Sequence, residues 1–460
     1  MSAIKMKRVL TTPALIAFGL AYMVPLGIFT TYGEVTVASN GHLPIAYVIT
    51  LAMIFFTALS YCRMANKLPI AGSAYSYVQH TFGGRIGFLV GWAQILDYLF
   101  LPILNYLVLG IYLNEAFPSI PAYVFVLGSL CSVSFLNYLG IKLINSVNFT
   151  LIIVQMFFIG LFIFLTLTNV SLTPEAMIRP LAVNAGDFSG LMSGAAILCL
   201  AFLGFDAIAT LAEESNDAQK SLPRAIIWTV LIAGSIFLVV SYSAHLAYPN
   251  WTDFASNKDT ASLDVMRKVD SISNLKEILG KYGNDFMYNF FQSAYLTGVF
   301  ASAMTAQTSV SRIFYAMGRE GVLPKQIFFK VHPRFRTPYL SILFVACFSL
   351  LSLVLDLSLV VSMISFGALV AFTFVNLCVI KSYLCDIKTK TAKVLFKYGV
   401  LPVIGVLLSL WLWTSLDETA MIVGLVWLAV GFCYLVFLTK GFTKLLPSID
   451  HHELNSIIKD

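Results

Sequence analysis

Ala201-Phe202-Leu203-Gly204-Phe205-Asp206-Ala207 places a carboxylate inside a run too hydrophobic to face water. Such a group carries a large desolvation cost unless it meets a cation, a proton or a polar cavity. Asp206 therefore reads as part of a solute pathway through a membrane, and the rest of the chain follows from that stretch.

The surrounding composition agrees that lipid is the solvent. Of 460 residues, 58% are hydrophobic and only 11% charged, with a mean hydropathy of +0.84. Soluble domains carry about a quarter charged residues. The formal charge of +6 implies no nucleic-acid partner, because the basic residues sit at the ends of apolar runs and form no arm or face. The cysteines, Cys62, Cys131, Cys199, Cys347, Cys378, Cys385 and Cys433, are scattered without a ligand-like pair and read as small hydrophobes. Lys5, Lys7 and Arg8 precede a run that continues past Phe29 without a small-x-small cleavage site, so a retained first span is expected.

Segments able to cross about 30 Å of hydrocarbon fall near residues 11–33, 43–62, 86–112, 121–139, 145–168, 189–212, 224–247, 286–316, 338–356, 358–380, 396–416 and 419–438. The expected class is an all-α integral membrane protein of about twelve helices. Most basic residues cluster on one side: Lys5 to Arg8, Arg63 to Arg85, Lys142, Lys220 to Arg224, Arg312 to Arg336, Lys381 to Lys397 and Lys440 to Lys459. By the positive-inside rule that side is the cytoplasm, which holds both termini. The opposite side keeps Arg179 and the polar connection from Pro249 to Asp285, where periodicity suggests a surface helix from Leu263 to Leu279.

Two spans are interrupted. The first contains Gly19-Leu20-Ala21-Tyr22-Met23-Val24-Pro25-Leu26-Gly27-Ile28-Phe29, where Pro25 removes an amide donor between glycines. The sixth contains Gly194 and Gly204 around Asp206. Broken segments at corresponding positions point to a five-plus-five inverted repeat with its site at mid-membrane. Residues 1–168 would form the first repeat with its cytoplasmic N-terminus. Residues 169–380 would form the second with outer loop 248–285, and 381–460 the last two spans and a cytoplasmic tail.

Asp97, in Leu96-Asp97-Tyr98, is the second acid deep in a span, and neither acid has an obvious basic partner in the span bodies. An unpaired buried carboxylate takes up a proton or awaits a cationic ligand. Tyr22, Trp92, Tyr98, Phe202 and Phe205 offer ring faces to an ammonium, each worth about 0.5–2 kcal/mol when desolvated. Met23, Pro25 and Gly27 join them as candidate substrate contacts at the first break. Asp97 and Asp206 are candidate proton carriers, and Glu213 and Glu214 are either gate residues that would pair with Arg63 or Arg312 or a solvated helix end. Ser302, Thr305, Ser309 and Ser311 either line a passage or bond their own helix. His80, His245, His332, His451 and His452 form no ligand-spaced pair, so neither metal nor cofactor is expected. No nucleophile and base accompany the spans, which argues against an enzyme.

With these strings assembled, the chain resembles the amino acid, polyamine and organocation permease superfamily, and most closely its bacterial putrescine importers. The resemblance covers essentially the whole chain and rests on Gly19 to Pro25, Pro69-Ile70-Ala71-Gly72-Ser73-Ala74-Tyr75-Ser76-Tyr77, Gly91-Trp92 with Leu96 to Pro102, Phe202 to Ala207 with Leu211 to Glu214, Ser309 to Arg319, and Phe366 to Asn376. It implies a LeuT-like fold, alternating access and proton-coupled uptake across a bacterial inner membrane. Its partners would be a small cationic substrate, protons and membrane lipid, with a homo-oligomer compatible. In permeases of this type the unwound first span often presents Gly-Ser/Thr-Gly amides to a substrate carboxylate. Here the matching place is Pro25-Leu26-Gly27, and that weakened cradle beside two buried acids favours a diamine over an ordinary amino acid. The alternative cargo is a cationic or neutral amino acid. A lysine in the fifth span, which serves some relatives in place of sodium, is absent from Ser146 to Thr168.

Overall fold

Among the described residues ten helical segments are long and apolar enough to cross a membrane: Thr12–Phe29, Leu43–Lys67, Gly84–Ala116, Ala122–Leu139, Ile141–Asn169, Phe188–Glu214, Ala218–Ala247, Leu357–Leu384, Ala392–Trp413 and Glu418–Leu438. They are the first to seventh and tenth to twelfth of the spans expected from the sequence. The eighth is the 34-residue helix Phe286–Arg319, whose hydroxyls and amides lower its hydropathy. The ninth, Tyr339–Leu353, is apolar but short. The computed structural model describes residues 6–183, 187–283, 285–385, 391–416, 418–444 and 446. Lys5, Lys459, His451 and His452 lie outside them. The chain is an all-α multi-pass membrane protein.

Burial separates the spans into a core and a periphery. The most apolar windows of the third and sixth are each 78% buried inside the protein, whereas those of the eleventh and twelfth are 22% and 17% buried. The last two spans therefore present most of their apolar surface to lipid, as appended helices must. Gly140, at φ +120°, separates the fourth span from the fifth with no intervening loop, a backbone angle that a side chain would strain.

The core spans are joined by buried polar contacts, whose partners replace the water that lipid does not supply. Thr308 Oγ1 donates to Asn137 Oδ1 at 2.6 Å, and Asn137 Nδ2 donates to the Met304 carbonyl at 3.2 Å, tying the eighth span to the fourth. Asn105 Nδ2 donates to Ser302 Oγ at 3.0 Å, tying it to the third.

The face where the chain starts is sealed. Glu214, at the end of the sixth span, receives the Val9 and Leu10 N–H groups on its carbonyl, each at 2.9 Å, and Asn216 N–H donates to the Leu10 carbonyl at 3.0 Å. The opposite face carries the short helix Tyr32–Ala38 and the connection between the seventh and eighth spans. There Asp187, just before the sixth span, accepts from Asn40 Nδ2 at 3.3 Å and lies 3.0 Å from His42 Nε2.

The surface helix expected from Leu263 to Leu279 is two pieces, Ala261–Ile272 and Leu275–Leu279. Asn274 between them adopts φ +51°, a left-handed angle that ends one helix and starts the next. Val265, Met266 and Val269 bury the inner side of the first piece. Asp270 accepts the Met287 and Tyr288 N–H groups at 2.8 and 3.4 Å, satisfying the start of the eighth span. Burial pushes its carboxyl above the usual range, and those amides pull it back.

Candidate functional site

The first span is helical from Thr12 to Met23 and then breaks. Pro25 disfavours helical backbone at the residue before it, and Val24 leaves the helix at φ +53°, ψ +93°. A tight turn follows over Pro25–Phe29, with Gly27 N–H donating to the Val24 carbonyl at 2.6 Å. The Tyr22 carbonyl, beside the break, accepts from Ser302 Oγ at 2.9 Å.

The sixth span breaks at the matching place. Its helix Phe188–Leu198 tightens over Cys199–Phe202, becomes extended at Leu203 and turns at Gly204, with φ +125°. A Cβ on Gly204 would lie 2.5 Å from Tyr22 Cδ1. Glycine is required there twice, for the angle and for the contact. The two breaks touch through Tyr22 lying on Gly204.

Asp206 sits just past that turn, 2% exposed. Its Oδ2 accepts from the Tyr98 hydroxyl at 2.5 Å and its Oδ1 from the Gly204 N–H at 3.3 Å. Asp97 is equally buried, its backbone against Gly367 of the tenth span, where a Cβ would come within 2.6 Å of the Asp97 nitrogen. Its Oδ1 has no hydrogen-bond partner among the described residues, nor has the Tyr22 hydroxyl. Tyr22 and Tyr98 lie 6.2 Å apart between ring centres. Among the described residues no basic side chain pairs with either acid. Burying an unpaired polar atom costs about 1–3 kcal/mol, more for a charge, which marks this cluster as the candidate site.

A cavity of about 210 Å³ leads to it. Tyr22, Met23, Gly27, Asn105, Leu203 and Ser302 are among its lining residues, and Thr30, Thr31 and Tyr295 stand toward the face opposite the chain start. Thr30 Oγ1 and the Tyr295 hydroxyl meet at 2.9 Å beside it. Asp97, Tyr98 and Asp206 do not line this cavity and lie behind Tyr22. Phe205 packs against Tyr61 and Phe372, at 5.5 and 5.4 Å.

Three expected contacts lie elsewhere. Trp92 stacks on Trp427 of the twelfth span at 5.0 Å and exchanges indole-to-carbonyl hydrogen bonds with it, so it holds an appended helix. Phe202 is a core wedge, edge-on to Phe237 at 5.3 Å. Pro25 is buried and shapes the break without lining the cavity. Thr305, Ser309 and Ser311 each donate to a carbonyl of their own helix. Ser302 alone of that set bridges spans.

At the sealed end Arg312, fully buried, forms a two-pronged pair with Glu214, both bonds at 3.0 Å. Arg63 does not join it, because its guanidinium lies over the Tyr398 ring at 5.2 Å. Glu213 instead pairs with Arg319, which also approaches Glu320 at 3.7 Å, and the Tyr75 hydroxyl donates to Glu320. The sequence reading missed Arg319. Its signal was the seven-residue spacing from Arg312, two helical turns on one face, opposite adjacent glutamates.

A chain whose interrupted apolar spans meet at buried acids, with a cavity toward one face and ion pairs across the other, has the build of a membrane carrier. Residues 14–455 match the amino acid permease family. Over 454 residues the chain is 37% identical to the low-affinity putrescine importer PlaP of Escherichia coli K12, covering 98% of this chain and 97% of that one. It is 28% identical to the branched-chain amino acid permease BcaP of Bacillus subtilis 168, over 96% and 95% of the two chains. The methylthioribose transporter of the same bacterium is 25% identical, over 92% of each. The chain belongs to the amino acid permease family, within the amino acid, polyamine and organocation superfamily, and is a secondary transporter of small solutes.

Proposed function

We propose that this carrier imports putrescine or a related polyamine by proton symport through alternating access. The membrane would be a bacterial inner membrane, with both termini in the cytoplasm. The observation that carries the reading is the pair of buried acids, Asp206 beside the touching breaks and Asp97 on the third span, the latter with an oxygen that no described residue satisfies. A diamine brings cationic ends and no carboxylate. The likeness to a putrescine importer supports the same cargo.

On this reading the two breaks belong to a LeuT-like inverted repeat. Substrate arrives from the periplasmic side through the cavity beside Thr30 and Tyr295. One ammonium displaces the Tyr98 hydroxyl from Asp206 or shares it, against the Tyr22 ring. Asp97 holds the second ammonium or the coupled proton. Charge neutralised in this way lets the repeats rock about the site. The Glu214–Arg312 and Glu213–Arg319 pairs would then part to open the cytoplasmic side.

A second reading, a proton-coupled importer of cationic or neutral amino acids, draws on the family match and on the branched-chain relative. Competition separates the two. Uptake of labelled putrescine should be suppressed by cadaverine and other diamines and spared by leucine and alanine. Inhibition by amino acids alone would defeat the diamine reading.

A further inference from the structure

A second and larger cavity, of about 920 Å³, stands beside the first. Its volume falls within the range of about 300–1,000 Å³ typical of small-molecule sites. The sixth, tenth and eleventh spans wall it, and it shares Ile197, Leu200, Leu203 and Val361 with the smaller cavity, so a single layer of side chains divides the two. At its other limit it reaches Phe372, whose ring lies 5.4 Å from Phe205, the neighbour of Asp206.

The lining is not that of a lipid crevice alone. Ser189, Ser193, Ser365, Thr414 and Ser415 add hydroxyls to apolar walls. Glu34 is the only charged residue among the described lining residues. It is exposed and makes no hydrogen bond or ion pair with any described residue. Its helix is nonetheless held in place. A Cβ on Gly33 would lie 2.1 Å from the Lys258 carbonyl, Tyr32 packs edge-on to Phe254 at 5.8 Å, and a Cβ on Gly190 of the sixth span would lie 2.9 Å from the Ala38 carbonyl. A carboxylate on an anchored helix, with no partner among the described residues, beside hydroxyl-lined apolar walls suits an organic cation with a hydrocarbon body.

We infer that this cavity is a loading site for amine cations, with Glu34 as its recruiting carboxylate, separated from the smaller cavity that leads to the buried acids by Ile197, Leu200, Leu203 and Val361. The inference rests on the amine cargo and the orientation proposed above, but its test does not depend on transport. An amine drawn in by Glu34 is desolvated in steps, first beside hydroxyls and then at the buried acids. The carboxylate raises the local concentration of cations, an effect that salt screens.

Thiol labelling tests this on the full-length protein in liposomes. Ser193→Cys and Ser365→Cys each place a thiol on the cavity wall, read at the peptide level by mass spectrometry with the native cysteines retained. The probes are aminoethyl methanethiosulfonate, which carries an ammonium, and the uncharged methyl methanethiosulfonate. At low salt the cationic reagent should label both positions faster than the neutral one, after correction for their rates with free thiol. The preference should reach about tenfold. Glu34→Gln or 0.5 M salt should remove it, and millimolar putrescine should slow labelling.

Equal preference in Glu34→Gln and parent, faster labelling by the neutral reagent, or no labelling by either would overturn the loading site. The last two would mark a lipid-filled or sealed space. A retained cationic preference without protection by putrescine, in a protein that takes up no putrescine, would keep an organic-cation site and reject the polyamine reading alone.

Discussion

The two ends of the solute route are built from opposite chemistry. Toward the face where the chain starts, two arginines of the eighth span clamp two glutamates of the sixth, and the Glu214–Arg312 pair is almost wholly withdrawn from solvent. Toward the other face the same spans part around a cavity, and a neutral hydroxyl pair, Thr30 with Tyr295, lies beside it. Removing one partner of a buried ion pair costs about 3–5 kcal/mol, whereas a neutral hydrogen bond contributes about 1 kcal/mol. One end is thus held shut and the other is lightly latched. Between them lie Asp97 and Asp206, which have no basic partner among the described residues; under the proposed function, cargo or proton supplies the missing charge.

The sharpest way to break this contrast is at the centre. Asp206→Asn should lower uptake on the order of a hundredfold or more, equivalent to about 2.7 kcal/mol. Size-exclusion profile and membrane insertion should stay unchanged. Full activity would remove Asp206 from the site.

At the sealed end, Arg312→Ala strands Glu214 and should cost about 3–5 kcal/mol of stability, seen as a drop in thermal midpoint in detergent. Arg312→Leu combined with Glu214→Leu should recover most of that stability while leaving uptake impaired, because the pair would no longer close and reopen. Equal midpoints for single and double variants would contradict a coupled clamp.

Gly204→Ala is expected to have a smaller effect on stability, about 1–3 kcal/mol, from the forbidden backbone angle. It should lower uptake about tenfold, since the methyl displaces Tyr22. At the latched end, Tyr295→Phe removes a bond of about 1 kcal/mol and should shift the KM for putrescine by less than about fivefold. The smallest effect on uptake belongs to Trp92→Phe, which should leave KM and kcat unchanged. It should cost about 1 kcal/mol of stability through its lost bond to the Trp427 carbonyl.

Much of the scaffold was legible because lipid enforces it. Runs long enough to span hydrocarbon announce themselves, and the breaks at Pro25 and Gly204 are written in residues whose backbone physics is local. Asp97 and Asp206 were legible for the same reason, as charges where charge is costly. The partners were not. Trp92, Phe202 and Phe205 share one hydrophobic signature, and only packing distinguishes a helix clasp from a core wedge or a ring behind the site. Arg63 and Arg312 look alike in the chain, yet one meets a tyrosine ring and the other a glutamate. Ser302 hid among hydroxyls that bond their own helix, and Asn105 carried no pattern at all.

The measurement closest to the central claim is labelled putrescine uptake into proteoliposomes of purified protein, without sodium, with and without an imposed inside-alkaline pH gradient. Wild type and Asp97→Asn would be compared. The gradient should drive uptake by wild type, and Asp97→Asn should still bind putrescine while losing its response to the gradient. An undiminished gradient response in Asp97→Asn, or wild-type uptake indifferent to the gradient, would contradict proton coupling through the buried acids.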